Sequence, residues 1–272
     1  AHPVEPHMRA QVLDALRDIE ARHDVTVLFA CESGSRGWGF ASPDSDYDVR
    51  FIYVNRLPWY LTVAPGRDVI EVPISGDLDI NGWDLRKALG LLRESNPTLL
   101  EWLGSPIVYR EEAETMAQFR TLAAQVFSNA KGWHHYASMA KKNFREHLQA
   151  DAVRYKKYLY VLRPLLAARW IRTQPGVPPM RFAELAQHTL HPVHDAALVD
   201  EINALLEVKM RAGEAATSPR WPGIHAFIEA ELARNAAEPV QPLPVPGHAA
   251  LDALLHETVL RYGEEKAARN SG

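Results

Sequence analysis

Two aspartates separated by one residue, Asp46 and Asp48, lie about ten residues downstream of a Gly34-Ser35 pair. Residues two apart on a strand point to the same face, so these carboxylates project together. Like charges held this closely repel, and the arrangement is sustained most easily by divalent cations between them. Oxygen-only ligands select a hard ion, Mg2+ or Mn2+, and two such ions can stabilise the attacking and leaving oxygens of an in-line phosphoryl displacement. Upstream, Gly34 and Ser35 follow an apolar run and open a turn whose amides and hydroxyl can cradle phosphate oxygens. An isolated Asp-x-Asp is common in surface turns; the glycine-serine loop before this one and the apolar run after it argue for a site. Arg50 shares the face of both aspartates and is read equally well as a phosphate contact or an ion-pair partner. Arg36 is read as a phosphate contact, and Ser45 either as one or as a turn cap.

Strands and helices must hold these residues. Val25–Ala30 reads as a short buried strand and Tyr47–Val54 as an alternating one. Helices bracket them: Gln11 to Arg22 aligns Val12, Leu16 and Ile19, and Asp84 reads as the N-cap of a helix through Leu85, Leu89 and Leu92. From Glu112 onward the apolar period is helical, over 112–131, 133–149, 151–173, 181–188, 195–212 and 222–236. Four prolines within 238–247 imply an extended strap leading into a last amphipathic helix from Ala249 to about Ala268. The expected fold is therefore α+β, with a mixed-sheet core over 1–106 and a helical part over 107–272.

Composition narrows the partners. A net charge of -4 gives no global attraction to nucleic acid, so polyanion binding would need a local patch. One cysteine excludes an intrachain disulfide and fits a reducing cytoplasm, and no apolar run is long enough to span a bilayer. His188, His191 and His194 make a poor zinc set, because Pro192 interrupts any helix and no acidic or cysteine ligand joins them.

The series Gly34-Ser35…Asp46-Tyr47-Asp48-Val49 resembles the signature of the DNA polymerase β nucleotidyltransferase superfamily. The fuller run from Gly34 to Tyr53 is similar to a bacterial and phage subfamily associated with RNA ligases in RNA repair. Gly82-Trp-Asp-Leu-Arg-Lys, Ser95-Asn-Pro-Thr-Leu-Leu-Glu-Trp-Leu and Leu162-Arg-Pro-Leu-Leu-Ala-Ala-Arg-Trp170 match its later phrases. The resemblance implies a polymerase β-like core and transfer of a nucleoside monophosphate from a nucleoside triphosphate, ATP among them, to an acceptor hydroxyl. It also implies a third carboxylate on a neighbouring strand. Among Glu71, Asp77, Asp79 and Asp84 the preferred candidate is Asp79, flanked by Leu78 and Ile80, with Asp77 second.

The helical part carries a second cluster, Ala140-Lys-Lys-Asn-Phe-Arg145 and Arg154-Tyr-Lys-Lys-Tyr-Leu-Tyr-Val-Leu-Arg-Pro164. Basic residues interleaved with aromatics can grip a triphosphate and stack a base, or form a solvated face with tyrosines at the core edge. The resemblance, in which a helical domain often closes the nucleotide cleft, brings Lys142, Lys157 and Arg163 into the expected nucleotide site. An RNA 3′ end is the leading acceptor; a small hydroxylated molecule, a protein side chain, and a non-catalytic nucleotide- or RNA-binding module are the alternatives.

Overall fold

The computed structural model describes residues 3–74, 76–150, 152–211 and 217–269. The chain runs α1 (Pro6–His23), β1 (Thr26–Glu32), α2 (Gly34–Trp38), β2 (Tyr47–Val54), α3 (Leu57–Tyr60), β3 (Val69–Glu71), β4 (Leu78–Asp84), α4 (Leu85–Arg93), α5 (Pro97–Leu103), β5 (Val108–Glu111) and α6 (Ala113–Val126). It continues through α7 (Asn129–His147), β6 (Ala152–Arg154), α8 (Tyr155–Thr173), α9 (Phe182–Thr189), α10 (Ala196–Arg211), β7 (Thr217–Pro219), α11 (Pro222–Ala237) and α12 (Ala249–Arg269).

Five strands form one mixed sheet in the order β3-β4-β2-β1-β5. β2 runs parallel to β4, and the remaining neighbours are antiparallel. This bears out the α+β expectation. Alternation along β1 and β2 supplies both faces. Val27, Val49, Phe51 and Tyr53 pack with Val12, Leu16 and Ile19 of α1, whereas Leu28, Ile52 and Val54 pack with α4, α5, α6 and α12. Both faces of the central strands are covered, so they read as nearly continuous apolar runs.

The expected division at residue 106/107 does not follow the packing. β5 completes the sheet by pairing with β1, and Met116, Phe119, Ala123 and Val126 of α6 join the core beneath it. Leu251, Leu254, Val259 and Tyr262 of α12 return to that same core, carried there by the extended 238–247 strap. Asn129 grips the strap from both sides, donating to Gln241 O and accepting from Leu243 N at 2.9 Å each. The separate helical core belongs to α7 through α11, built around Tyr158, Leu162, Leu165, Phe182, Leu205 and Ile228. The helix expected over 112–131 breaks at Phe127, and Ser128 caps α7 instead. Residues 152–154, expected to be helical, pair as a strand with β7.

Pro164 sits inside α8, where it has no N–H for the carbonyl four residues back. That carbonyl, of Tyr160, accepts from Asn143 Nδ2 of α7 at 2.9 Å. The proline thus opens a hydrogen-bond vacancy in one helix that a side chain of the next helix fills, tying α7 to α8 where both face the sheet domain. Asn143→Ala should cost about 1–2 kcal/mol of unfolding free energy in urea titrations. In a Pro164→Ala background, which restores the intrahelical N–H, the same change should be nearly neutral, and equal costs in the two backgrounds would refute the coupling.

Candidate active site

β1 ends in Cys31-Glu32, the chain turns at Ser33, and α2 starts at Gly34 with φ +56°, a left-handed conformation that favours glycine. Its missing side chain matters as well. A Cβ on Gly34 would lie 2.0 Å from Asp48 Oδ2, so the carboxylate rests directly on the glycine backbone. Ser33 N donates to Asp48 O at 2.8 Å and locks the loop to the start of β2.

The parallel register sets Asp48 opposite Asp79 and Arg50 opposite Asn81. Asp79, the preferred third carboxylate, therefore faces Asp48 across the strand pair. Arg50 lies between them: Nη2 is 3.0 Å from Asp48 Oδ1 and 2.7 Å from Asp79 Oδ2. Asn81 Nδ2 donates to Asp79 Oδ1 at 3.1 Å. Asp46 is exposed and immediately precedes β2. Asp77 is exposed just before β4, and its carbonyl accepts from Tyr47 N at 2.7 Å. Asp84 is the buried cap of α4, accepting from Arg86 N at 2.8 Å, Asn55 Nδ2 at 2.8 Å and Tyr60 OH at 2.6 Å. Glu71 pairs with Arg67 on the surface.

Among the described residues no three acidic, histidine or cysteine side chains already converge as a metal cage. The His188, His191 and His194 set is likewise no cage, and His191 Nδ1 accepts from the amides of Val193 and His194. The donor set at the sheet nevertheless suits a hard cation. Asp46, Asp48 and Asp79 offer only oxygens, the glycine leaves room beside Asp48, and a positive group already bridges two of the three carboxylates.

Asp48 and Arg50, but not Asp46 or Asp79, open on a cleft of about 320 Å³. Ser33, Gly34, Asp48 and Arg50 line its sheet end, while Trp38, Met139, Asn143, Tyr160 and Arg163 line the opposite wall. Trp38 meets Tyr160 edge-on with ring centroids 5.5 Å apart and donates from Nε1 to Glu101 Oε2 at 3.1 Å. Glu101 in turn forms a buried ion pair with Arg163 at 2.5 Å. Two sequence phrases about sixty residues apart thus meet at the wall of the cleft.

Several expected nucleotide contacts face elsewhere. Arg36 is buried against the Tyr47 ring, 3.9 Å from its centroid, and donates to Ser45 O at 2.7 Å and Asp46 O at 3.2 Å, so it shapes the entry to β2 and does not line the cleft. Ser45 Oγ is buried in the turn, accepting from Ser42 N at 3.0 Å and Lys209 Nζ at 3.4 Å. Ser35 is buried, and its carbonyl accepts from Gly39 N and Phe40 N. Lys142 is exposed on α7 beside Glu146. Lys157 does not line the cleft; its Nζ lies 5.3 Å from the centroid of the Tyr160 ring and 3.2 Å from His147 Nε2. Arg36 and Ser45 are both buried, neither lines the cleft, and their contacts hold Asp46 and the β2 entry.

The family model described as "RNA repair pathway DNA polymerase beta family" matches residues 8–257. The chain belongs to that family. The match runs through the sheet, the cleft and the helical core to the first turns of α12, so the site lies wholly within the family's shared sequence. A Bacillus subtilis (strain 168) protein, "Uncharacterized protein YcgL", is 47% identical over 227 residues, covering 84% of this chain and 86% of that protein. A crystal structure of a nucleotidyltransferase-like protein from Exiguobacterium sibiricum 255-15 aligns over 95% of this chain and 77% of that one, with 13% identity and a TM-score of 0.31.

In this family member Glu32, which no motif or spacing singles out, also supports the site. It ends β1 fully buried, accepting from Asp48 N at 2.9 Å and from Tyr109 OH at 2.5 Å. Burial, only partly offset by those two hydrogen bonds, pushes its carboxyl up from 4.5 to about 7. The one available signal was an acid terminating an otherwise apolar strand run. Because the folded-state value is raised, the stability attached to the protonated form is fully present below about pH 4.5 and is lost as pH rises through about 7. The loss should amount to roughly 3 kcal/mol. Glu32→Gln can keep the bond from Asp48 N through its amide oxygen and reverse the other, its NH2 donating to Tyr109 OH, and should flatten that decline in urea unfolding measured from pH 5 to 8. A variant that loses stability as steeply as the parent would remove Glu32 as its source.

Proposed function

We propose that this chain transfers a nucleoside monophosphate from a nucleoside triphosphate to an acceptor hydroxyl, releases pyrophosphate, and uses an RNA 3′ end as acceptor. The observation that carries the reading is the Asp48 carboxylate lying on the Gly34 backbone, opposite Asp79, at one end of a cleft whose other wall is helical. A phosphate can lie along the amides of the turn, while carboxylates alone would repel it. Asp46, Asp48 and Asp79 would hold two Mg2+ or Mn2+ ions, which supply charge neutralisation and polarise the α-phosphate when bound.

The remaining work falls to the chain itself. Gly34 and Ser35 orient the phosphates through their backbone, and Arg50 reaches an oxyanion from the same strand face. The acceptor oxygen bonds to the α-phosphorus as the bridging bond to the β-phosphate breaks. Asp79 is the carboxylate positioned to take the acceptor proton. Trp38 and Tyr160 offer apolar ring surface to a nucleoside, with the Arg163–Glu101 pair bracing the wall behind them.

The family's RNA repair description supports an RNA acceptor, and the resemblance of the Gly34 to Tyr53 run to a ligase-associated subfamily adds an RNA ligase as the pathway partner. The cations on α7 and α8, with Lys142 exposed and Lys157 beside Tyr160, supply local positive charge despite the overall negative balance. No helix among the described residues is long and apolar enough to cross a membrane.

Incubation with radiolabelled nucleoside triphosphates, Mn2+ and an RNA oligomer should give lengthened RNA, and Asp46→Asn or Asp48→Asn should lower the rate by at least about a hundredfold. Unchanged transfer by both variants would defeat the carboxylate assignment. Label on a small hydroxylated molecule or on protein, with RNA untouched, would move the acceptor. Nucleotide-dependent thermal stabilisation without any labelled product would support a binding module.

A further inference from the structure

Arg50 is engaged more completely than a simple phosphate contact requires. Besides bridging Asp48 and Asp79, it donates from Nη1 to the main-chain carbonyls of Val49 and Asp79, 3.0 Å each. Its side chain is 16% exposed, against 31% for Asp48 and 27% for Asp79, so the contacts are partly shielded from water. The register accounts for the arrangement: Asp48 and Asp79 are opposite one another, and Arg50 lies two residues along on the same face. Two carboxylates facing across a strand pair repel, and one guanidinium shared between them removes half of that charge. The guanidinium takes one oxygen of each carboxylate, and a divalent ion held by the pair would have to compete with it for them.

We propose that Arg50 is a resident counter-cation of the carboxylate pair, which a divalent ion must displace, and that the displaced guanidinium then takes the polyphosphate as its new partner. The inference rests on the metal-dependent reading above and adds a coupling to it. Metal and Arg50 compete for the same carboxylate oxygens, so Arg50 weakens metal binding in the absence of nucleotide. A triphosphate at the sheet end of the cleft gives Arg50 another anion and relieves that competition, so nucleotide tightens metal binding and, by linkage, metal tightens nucleotide binding. It also explains why three carboxylates so close in sequence and register do not converge among the described residues: the guanidinium stands between two of them.

The test is Mn2+ binding to the full chain, read from the electron paramagnetic resonance signal of free Mn2+, with and without a nucleoside triphosphate analogue carrying an α,β-methylene bridge. Arg50→Gln should bind Mn2+ about tenfold more tightly than the parent without nucleotide. The analogue should tighten Mn2+ binding severalfold more in the parent than in the variant. Equal or weaker Mn2+ binding by Arg50→Gln overturns the proposal, as does an analogue effect of the same size in both proteins. Should circular dichroism show that variant to be unfolded, Arg50→Lys serves the same comparison: a lysine retains the charge without the planar fork and should give intermediate tightening. Parent affinity that Arg50→Lys leaves unaltered overturns the proposal in that case. Tight binding indifferent to residue 50 defeats the counter-cation alone, whereas absence of Mn2+ binding from both proteins defeats the metal reading together with it.

Discussion

The approach of the Asp48 carboxylate to the Gly34 backbone is the constraint from which the rest of the site follows. Any side chain at position 34 would collide with Asp48 Oδ2, and the left-handed turn at Gly34 disfavours other residues independently of space. Only with the turn held against β2 do the amides of α2, the carboxylate pair and the sheet end of the cleft share one location. The supports are correspondingly dense. Arg36 pins the backbone at Ser45 and Asp46, Ser33 N binds Asp48 O, and Glu32 accepts from Asp48 N beneath the strand.

The same region concentrates buried and half-buried charge, and its ion pairs are specific. Arg163 and Glu101 neutralise one another behind Trp38, and Arg50 is shared by Asp48 and Asp79. Glu32 instead meets burial through a carboxyl pushed up to about 7, so that the neutral form prevails below that pH. Buried pairs of this kind contribute little net stability relative to apolar packing, but removing either partner strands the other. They therefore fix which walls face each other more than they strengthen the fold.

Directional contacts couple the helical core to the sheet part, among them the Arg163–Glu101 pair and the reach of Lys209 to Ser45. Phe40, just after α2, enters the helical core, where it meets Phe182 edge-on at 5.8 Å. Asn143 fills the bond left open by Pro164, so α7 and α8 keep one relative position where they line the cleft. The strap and α12 then close the chain back onto the sheet core.

Much of this was legible in the residues themselves. The period-two alternation around Tyr47–Val54, with Gly34 before it and Asp48 on it, located the sheet end of the cleft, because that pattern depends on local geometry alone, whereas Asp46 precedes the strand, is exposed and does not line the cleft. Asp84 read correctly as a helix cap for the same reason. Contacts decided by register or by burial were not legible. The parallel pairing set Asp79 opposite Asp48 and gave Arg50 two carboxylates at once. Burial turned Arg36 and Ser45 from phosphate candidates into supports of the β2 entry, and raised Glu32 from an unremarked strand end to a partner of the site. The 106/107 change in composition suggested a boundary that packing moved, because a short edge strand and two amphipathic helices carry no mark of which core they will join. The sequence by itself determined the chemistry available near Asp46 and Asp48 and the α+β alternation of elements, both set by residue type and spacing. Only the tertiary structure decided which charges face one another, since a strand's partner and register depend on residues far away in the chain.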